Sequence, residues 1–233
     1  MAAEDLGSEC RLLELAPAEP LGFAGGQYII VDTGLVLASG KAVKRAYSIW
    51  SRDADEDRFR LAVKRIPGGP GSGYLHALDA GAEVRFSGPW GKLLPAPGAR
   101  GATLVLATDT GVTAALGLLG GTRFAPLLPA TVFVWLRCAT EAFLSEPIVR
   151  ESIPRGCGEV RLGQTWPIGH AERIPQARAL LAEILRRSRV EQAFLAGDGA
   201  VNYALLDDLC AAGVAATRDS VESFFNMPRK AAP

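Results

Sequence analysis

The fold is decided by residues 103–113, which read TLVLATDTGVT. Residues 103–107 form a continuous apolar run, which is typical of a strand buried inside a parallel sheet. A turn containing Gly111 follows, and residues 112–119 then have the apolar pattern of a helix. This order of strand, tight turn and helix predicts one unit of an α/β sheet, whose carboxyl edge is the usual place for nucleotide phosphates.

The same alternation continues toward the C-terminus. Apolar runs predict further strands at residues 131–136, 159–162 and 192–196, and periodic segments predict helices at residues 175–189 and 203–212. Residues 175–189 give the clearest pattern, because their apolar side chains share one face and arginines load the C-terminal end, where the helix dipole favours cations. Strand alternating with helix predicts a Rossmann-like α/β nucleotide-binding domain with a parallel sheet.

The N-terminal part of the chain has the pattern of β-structure. Short runs of strand-like composition, separated by glycine, proline and aspartate, lie at residues 10–15, 27–32, 46–50, 59–63 and 83–87. They predict an all-β, antiparallel Greek-key barrel, six-stranded or truncated. Residues 94–101 are rich in proline and glycine, so we predict a barrel domain over residues 1–97 and an α/β domain over residues 98–233.

The composition argues against several classes of protein. The 233 residues are 48% hydrophobic, and 25 basic residues balance 25 acidic ones, so neither nucleic acid nor an anionic membrane is expected as the main partner. No apolar run is long enough to span a bilayer, and the acidic start does not resemble a signal peptide, which predicts a cytoplasmic protein. The thiols and imidazoles are scattered, which predicts no metal or iron–sulfur site: Cys10, Cys138, Cys157, Cys210, His76 and His170.

Three short motifs in the barrel region suit a flavin. Residues 45–48 read RAYS, residues 68–75 read GGPGSGYL and residues 88–91 read GPWG. Taken in this order with residues 107–113, 196–199 and 222–225, they resemble the ferredoxin–NADP reductase family, in its oxygenase-reductase type without a ferredoxin domain. The resemblance covers nearly the whole chain and implies FAD as the cofactor, with NADH or NADPH as the electron donor.

The resemblance assigns roles to the first motif. Arg45 is expected to bind phosphate through its planar guanidinium, Tyr47 to stack on the isoalloxazine ring, and Ser48 to lie near flavin N5. In a regular strand Arg45 and Tyr47 share one face and Ser48 points to the other, so a local bend must turn Ser48 toward the flavin. Taken alone, this motif is better explained by an ordinary barrel strand with an exposed arginine. Together with the later motifs, it is better explained as part of a flavin site.

The second motif is interpreted as the site of the FAD pyrophosphate. Glycine allows close approach of the backbone, and a short helix predicted over residues 74–78 offers free N–H groups at its start. The resemblance implies Gly71, Ser72 and Gly73 as ligands. The alternative is a glycine-rich surface loop with a serine cap. His76 is interpreted as an incidental residue of the helix.

The nucleotide side is assigned at the ends of the predicted strands. The resemblance implies contacts from the first turn, from an arginine after the second strand and from the turn that in the family usually reads Cys-Gly-Pro: Thr108, Gly111, Val112, Arg137, Gly197 and Asp198. Arg137 is equally well explained as a surface charge. Asp109 replaces a usual glycine and would repel a pyrophosphate unless it is turned away, and Ala196 replaces the family cysteine.

Glu222 and Phe224 complete the predicted site near the C-terminus. In related reductases a glutamate and an aromatic residue there border the flavin and the nicotinamide, although an aromatic pair can also simply fill the core. Ser48, Tyr47 and Glu222 are therefore the predicted catalytic residues. The family also has a strand before the segment at 10–15, and the few residues available here suggest a smaller or more open barrel, or one completed by another chain.

Two functions follow from these features. The first is an NAD(P)H-dependent flavoprotein reductase that passes electrons through FAD to a separate acceptor, either a redox partner protein (a ferredoxin or an oxygenase component) or a small molecule. The second is a flavin-binding electron-transfer or assembly subunit that has lost efficient nicotinamide chemistry and works only with a partner chain. A third hypothesis is a degenerate scaffold that binds neither FAD nor the nicotinamide nucleotide.

Overall fold

The N-terminal part is a six-stranded antiparallel barrel. The computed structural model describes residues 1–55, 57–140 and 143–227. The barrel strands are β1 (Ala2–Asp5), β2 (Cys10–Leu15), β3 (Tyr28–Val36), β4 (Ala42–Ser48), β5 (Phe59–Lys64) and β6 (Arg85–Trp90). They form two sheets, ordered β1-β2-β5 and β4-β3-β6. Leu13, Ile29 and Leu61 are fully buried in a core that both sheets share, so the sheets close on one another.

A short helix, α1 (Pro70–His76), follows β5 and packs on the barrel core through the fully buried Leu75. Proline is well suited to the first helical position, because its missing N–H has no partner there in any helix. The helix begins four residues earlier than the sequence predicts, so residues 71–73 lie within its first turns and not ahead of it.

The C-terminal part is an α/β unit with a parallel sheet. Its strands are β7 (Thr103–Thr108), β8 (Thr131–Cys138), β9 (Glu159–Thr165), β10 (Gln192–Asp198) and β11 (Val221–Phe225), in the spatial order β11-β10-β7-β8-β9. The connecting helices are α2 (Val112–Leu119), α3 (Glu146–Ser152), α4 (Arg173–Arg187) and α5 (Gly199–Ala211). Every residue of β7 is buried, as the continuous apolar run predicts. The predicted fold class, an antiparallel barrel followed by a parallel α/β sheet, is confirmed.

The expectation of a missing first strand is wrong. Ala2–Asp5 pairs antiparallel with β2, with Ala3 opposite Leu13 and Asp5 opposite Arg11. Its sequence, AAED, lacks the alternation of apolar and polar residues that identifies a half-buried strand, and only pairing with β2 orders it. The barrel edge before β2 is therefore covered by the chain itself.

Glycines bring the two parts into direct backbone contact. A Cβ on Gly117 of α2 would lie 2.3 Å from the carbonyl oxygen of Ile49, the residue that follows β4. A Cβ on Gly25 would lie 2.4 Å from the carbonyl oxygen of Gly117 and 2.6 Å from the Cα of Gly121. Real Cβ atoms are not found at such distances, so only glycine permits this approach. The contact fixes α2 against the end of β4.

No helix in the described segments is long and apolar enough to cross a membrane. Within those same residues, no group of three or more histidine, cysteine, aspartate and glutamate side chains could hold a metal ion. The four cysteines are free thiols.

Candidate functional site

A cavity of about 930 Å³ lies where the barrel meets the carboxyl edge of the parallel sheet. The barrel contributes Arg45, Tyr47 and Ser48, and the α/β unit contributes Asp109, Thr110, Thr113, Glu222, Phe224 and Phe225. A second cleft, of about 1070 Å³, is lined by charged residues such as Arg52 and Arg155 and contains none of the predicted site residues. The smaller cavity is therefore the candidate site.

The end of β4 brings all three residues of the first motif into one cavity. Tyr47 is half-buried, and burial raises the pKa of its hydroxyl to about 12. Ser48 is buried and lines the same cavity, and its Oγ has no hydrogen-bond partner among the residues that the structure describes. A buried hydroxyl without a partner is costly unless something else bonds to it. Ser48 Oγ is thus available to a bound molecule.

Arg45 lies across the start of α1. Its Nη1 donates to the carbonyl oxygen of Lys44 at 2.8 Å, and its aliphatic stem passes over Gly71. A Cβ at Gly71 would lie 2.6 Å from Arg45 Cγ, so any larger residue would displace the arginine. Glycine is therefore needed at position 71 so that Arg45 can pack over it, which the sequence alone did not reveal.

Ser72 acts within its own loop. Its Oγ accepts from the backbone N–H of Ile66 at 3.1 Å and donates to the carbonyl oxygen of Gly69 at 3.2 Å. These bonds hold the turn before α1 and place Gly69, Gly71 and Ser72 on the cavity wall. Gly73 is outside the lining, and a Cβ there would meet no described residue within 4 Å.

A residue that sequence reasoning missed, Arg65, also lines the cavity. Its Nη2 lies 3.1 Å from Nδ1 of the buried His76, whose Nε2 lies 3.0 Å from the carbonyl oxygen of Val63. Because a carbonyl only accepts, Nε2 carries the proton and Nδ1 accepts from Arg65. Burial, as the main cause, lowers the pKa of His76 and favours this neutral form. His76 therefore holds Arg65 in place. The sequence feature that could have indicated Arg65 is the Lys-Arg pair at residues 64–65, directly ahead of the glycine-rich loop.

Glu222 on β11 faces the barrel across the cavity. Burial raises the pKa of its carboxyl to about 7. Burial also raises the pKa of the Tyr28 hydroxyl, and the nearby Glu222 charge raises it further. Phe224 and Phe225 line the same wall, with Phe224 38% exposed, so this aromatic pair borders the cavity and does not merely fill the core.

We expect the Glu222→Gln variant to unfold with a different pH dependence from the parent. The folded protein holds the Glu222 proton up to about pH 7, whereas the unfolded chain releases it near pH 4.5. The contribution of protonated Glu222 to the free energy of unfolding is therefore complete below pH 4.5 and is lost as the pH rises through about 7. At pH 8 the glutamine variant should be more stable than the parent by about 1–3 kcal/mol, and at pH 4.5 the two should be nearly equal.

Urea unfolding of the FAD-free protein at both pH values measures this difference. Glu4→Gln, at an exposed glutamate of β1, is the control and should change the free energy of unfolding by less than about 0.5 kcal/mol at either pH. An equal effect of Glu222→Gln at both pH values would contradict the raised pKa.

The carboxylate of Asp109 is turned into the protein. Its Oδ1 accepts from the backbone N–H of Cys138 at 2.8 Å, and its Oδ2 forms an ion pair with Arg173. Asp109 has φ of 47°, a left-handed conformation that aspartate tolerates better than most residues. Asp109 was expected to repel a pyrophosphate unless its carboxylate is turned away, and the carboxylate is turned away.

The other residues predicted on the nucleotide side lie outside the cavity lining. Thr108 Oγ1 accepts from the N–H of Asp198 at 2.7 Å, joining β7 to β10. Gly111 and Gly197 permit close packing, since Cβ atoms there would lie 2.3 Å from the carbonyl oxygens of Ala196 and Thr108. Val112 and Asp198 are fully buried, and the guanidinium of Arg137 lies over the ring of Trp135 at 5.8 Å.

Comparison with known proteins identifies the family. The profile of the family described as "Oxidoreductase FAD-binding domain" matches residues 3–94. Ferredoxin–NADP reductase B of Sorangium cellulosum is 37% identical over 167 residues, which cover 66% of this chain and 67% of that protein. The chain belongs to the ferredoxin–NADP reductase family. The family assignment gives the class of enzyme, an NAD(P)H-dependent flavoprotein reductase, and its cofactor, FAD.

Other relatives of this ferredoxin–NADP reductase family member are reductase components. The reductase subunit of an Amycolatopsis aromatic O-demethylase is 36% identical over 128 residues, covering 53% of this chain and 34% of that one. The match thus spans about a third of that subunit. Among solved structures, a ferredoxin reductase in carbazole 1,9a-dioxygenase superposes with a TM-score of 0.73 at 20% identity, covering 96% of this chain and 65% of the other. That likeness supports the fold.

Proposed function

We propose that this reductase takes electrons from NAD(P)H through FAD and delivers them to a separate acceptor, in the first place a ferredoxin or an oxygenase component. One observation supports it above the others: a single cavity joins the flavin motif of β4 to the carboxyl edge of the parallel sheet. In open α/β sheets that edge is where nucleotides bind. The two ligands would therefore meet within one cavity.

The cavity residues fit a flavin dinucleotide. Arg45 and the start of α1 would hold its phosphates, since a guanidinium and close-approaching glycine backbone suit anions. Tyr47 would lie against the ring, and the unpartnered Ser48 Oγ would bond to its polar edge. FAD held by these residues would supply the redox chemistry, which is hydride acceptance from a nicotinamide and electron release to an acceptor.

The residues of the α/β unit would position the donor. Thr110 and Thr113 line the cavity around the start of α2, where Thr113 Oγ1 donates to the carbonyl oxygen of Thr110 at 3.0 Å, and Phe224 and Phe225 would limit where the nicotinamide ring can lie. Glu222, with its pKa near 7, would be able to hold or release a proton beside the flavin at neutral pH. Ala196 removes the family thiol, but hydride transfer needs no side-chain acid or base.

The acceptor is proposed from the relatives. Curated relatives include reductase components of a naphthalene dioxygenase/salicylate hydroxylase system and of a propane monooxygenase, at 31% and 28% identity. Such components work with further proteins of their systems, so we propose a redox partner protein here too.

An anaerobic absorbance titration tests this function. The FAD-loaded protein is titrated with NADH and, separately, with NADPH, and we expect the flavin band to bleach with one of them. Ferredoxin or cytochrome c added afterwards should restore the oxidised spectrum. A flavin that stays oxidised with both nucleotides but bleaches with dithionite would exclude the reductase and favour the flavin-binding subunit.

A further inference from the structure

Arg173, the first residue of α4, connects three strand ends at the carboxyl edge of the sheet. Its guanidinium forms an ion pair with Asp109 after β7, donates from Nε to Asp198 Oδ2 of β10 at 2.8 Å, and donates from Nη1 to the carbonyl oxygen of Trp166 after β9. Arg173 is 2% exposed. A buried arginine with partners on three sides has one geometry, because its donors form a rigid fork.

The position of this ion pair matters for nucleotide binding. In the order β11-β10-β7-β8-β9 the chain leaves β7 toward β8 on one side, and β10 packs on the other. The point where the strand order reverses therefore lies between β7 and β10, and open sheets bind nucleotide phosphates in the crevice outside that point. Arg173 bridges the carboxylates at the ends of these two strands.

Both carboxylates pair with Arg173, but their other partners differ. Asp198 Oδ1 accepts from the N–H of Ala200 at 2.9 Å and from Asn226 Nδ2 at 2.8 Å, at the N-terminus of α5, where the helix dipole favours an anion. Asp109 lies at the turn between β7 and α2, and among the described residues its cationic partner is Arg173. The charge nearest the phosphate-binding turn is thus offset by Arg173.

We propose that Arg173 is a positioning residue for the nicotinamide nucleotide: it holds and neutralises Asp109, so that a turn with aspartate in place of glycine still accepts the nucleotide phosphates. The proposal rests on the proposed function, because it assumes NAD(P)H as the donor. The opposing explanation is that Arg173 only ties strand ends together and has no electrostatic effect on the ligand.

A charge-matched pair of variants separates these explanations. Arg173→Met leaves Asp109 without its cation, and the double variant Asp109→Asn/Arg173→Met removes the uncompensated charge at Asp109 while losing the same Arg173 contacts to Asp109 and Asp198. Isothermal titration of the FAD-loaded proteins with NAD⁺ and with NADP⁺ gives the affinities. Flavin content and melting temperature report on the fold.

For Arg173→Met we expect the Kd of the preferred nucleotide, and the KM for its reduced form, to rise at least about tenfold, with kcat and flavin content nearly unchanged. The loss should shrink as salt is raised from about 10 mM to about 300 mM, because screening weakens repulsion. The double variant should return to within about threefold of the parent, as it no longer carries the repelling charge.

A double variant that binds no better than Arg173→Met would overturn the proposal, since a tie between strands is lost in both. An unchanged Kd in Arg173→Met would overturn it as well. If Arg173→Met does not fold, Asp109→Asn decides: a Kd within about threefold of the parent supports neutralisation by Arg173, and binding about tenfold tighter refutes it. A parent protein that binds neither nucleotide overturns the proposed function and this inference together.

Discussion

The Gly117→Ala variant is expected to lose about 100-fold in NAD(P)H-dependent turnover, on the order of what a 1 Å misplacement of reacting groups costs. The new Cβ would lie 2.3 Å from the carbonyl oxygen of Ile49, a backbone atom that cannot swing aside. Ile49 is adjacent to Ser48, and its N–H donates to the carbonyl oxygen of Gln27 at 2.9 Å. Relieving the clash must move α2 away from the end of β4, which separates the nucleotide side from the flavin side.

The same clash should destabilise the protein. Overpacking of this kind costs about 3 kcal/mol, and for a chain of this size that lowers the melting temperature by about 6–12 °C. Gly163→Ala is the control, because within the described part of the chain its Cβ would meet the Leu136 side chain alone, at an ordinary contact distance of 3.5 Å. Turnover and thermal unfolding measure both effects. A Gly117→Ala variant that matches Gly163→Ala in both would show that the contact does not set the active geometry.

The Arg45→Ala variant is expected to bind FAD about 10- to 100-fold more weakly. A hydrogen bond to a charged group contributes about 1.5–3 kcal/mol, and each 1.4 kcal/mol corresponds to about a factor of ten in affinity. Arg45 lines the cavity beside Gly71, where the phosphates are proposed to bind, so its removal takes away the planar donor fork.

Equilibrium dialysis of the apoprotein against FAD measures this loss. Arg58→Ala removes an exposed barrel arginine paired with Glu14 and should leave FAD affinity unchanged. Arg45→Lys keeps the charge but not the fork and should fall between the two. Unchanged FAD affinity in Arg45→Ala would move the phosphate site away from β4.

The sequence was sufficient for the parts of the fold that depend on local pattern. The continuous apolar run of β7 and the helix Val112–Leu119 lie where predicted, because burial on both faces and helical periodicity leave direct traces in the residue order. The motif at residues 45–48 was also sufficient to locate the cavity. Ser48 of this motif is a buried residue on the cavity wall, and the bend predicted there stays a prediction.

The rest depends on contacts between distant residues. Asp109 and Arg173 are 64 positions apart, and no local pattern indicates that one neutralises the other. Arg65 was missed for a similar reason, since its role follows from His76 eleven residues later, on a different element. The strand Ala2–Asp5 exists through its pairing with β2 and leaves no periodic pattern of its own.

The glycine contact between α2 and the end of β4 has a consequence for protein engineering. Reductases of this architecture invite the construction of chimeras, in which the flavin half of one enzyme is fused to the nucleotide half of another. At this contact backbone packs directly on backbone, and Gly25, Gly117 and Gly121 lie at its centre. In a chimera with a side chain at any of these positions, the two halves could not pack together. Compatible parent enzymes can therefore be selected by these glycines before their active sites are considered.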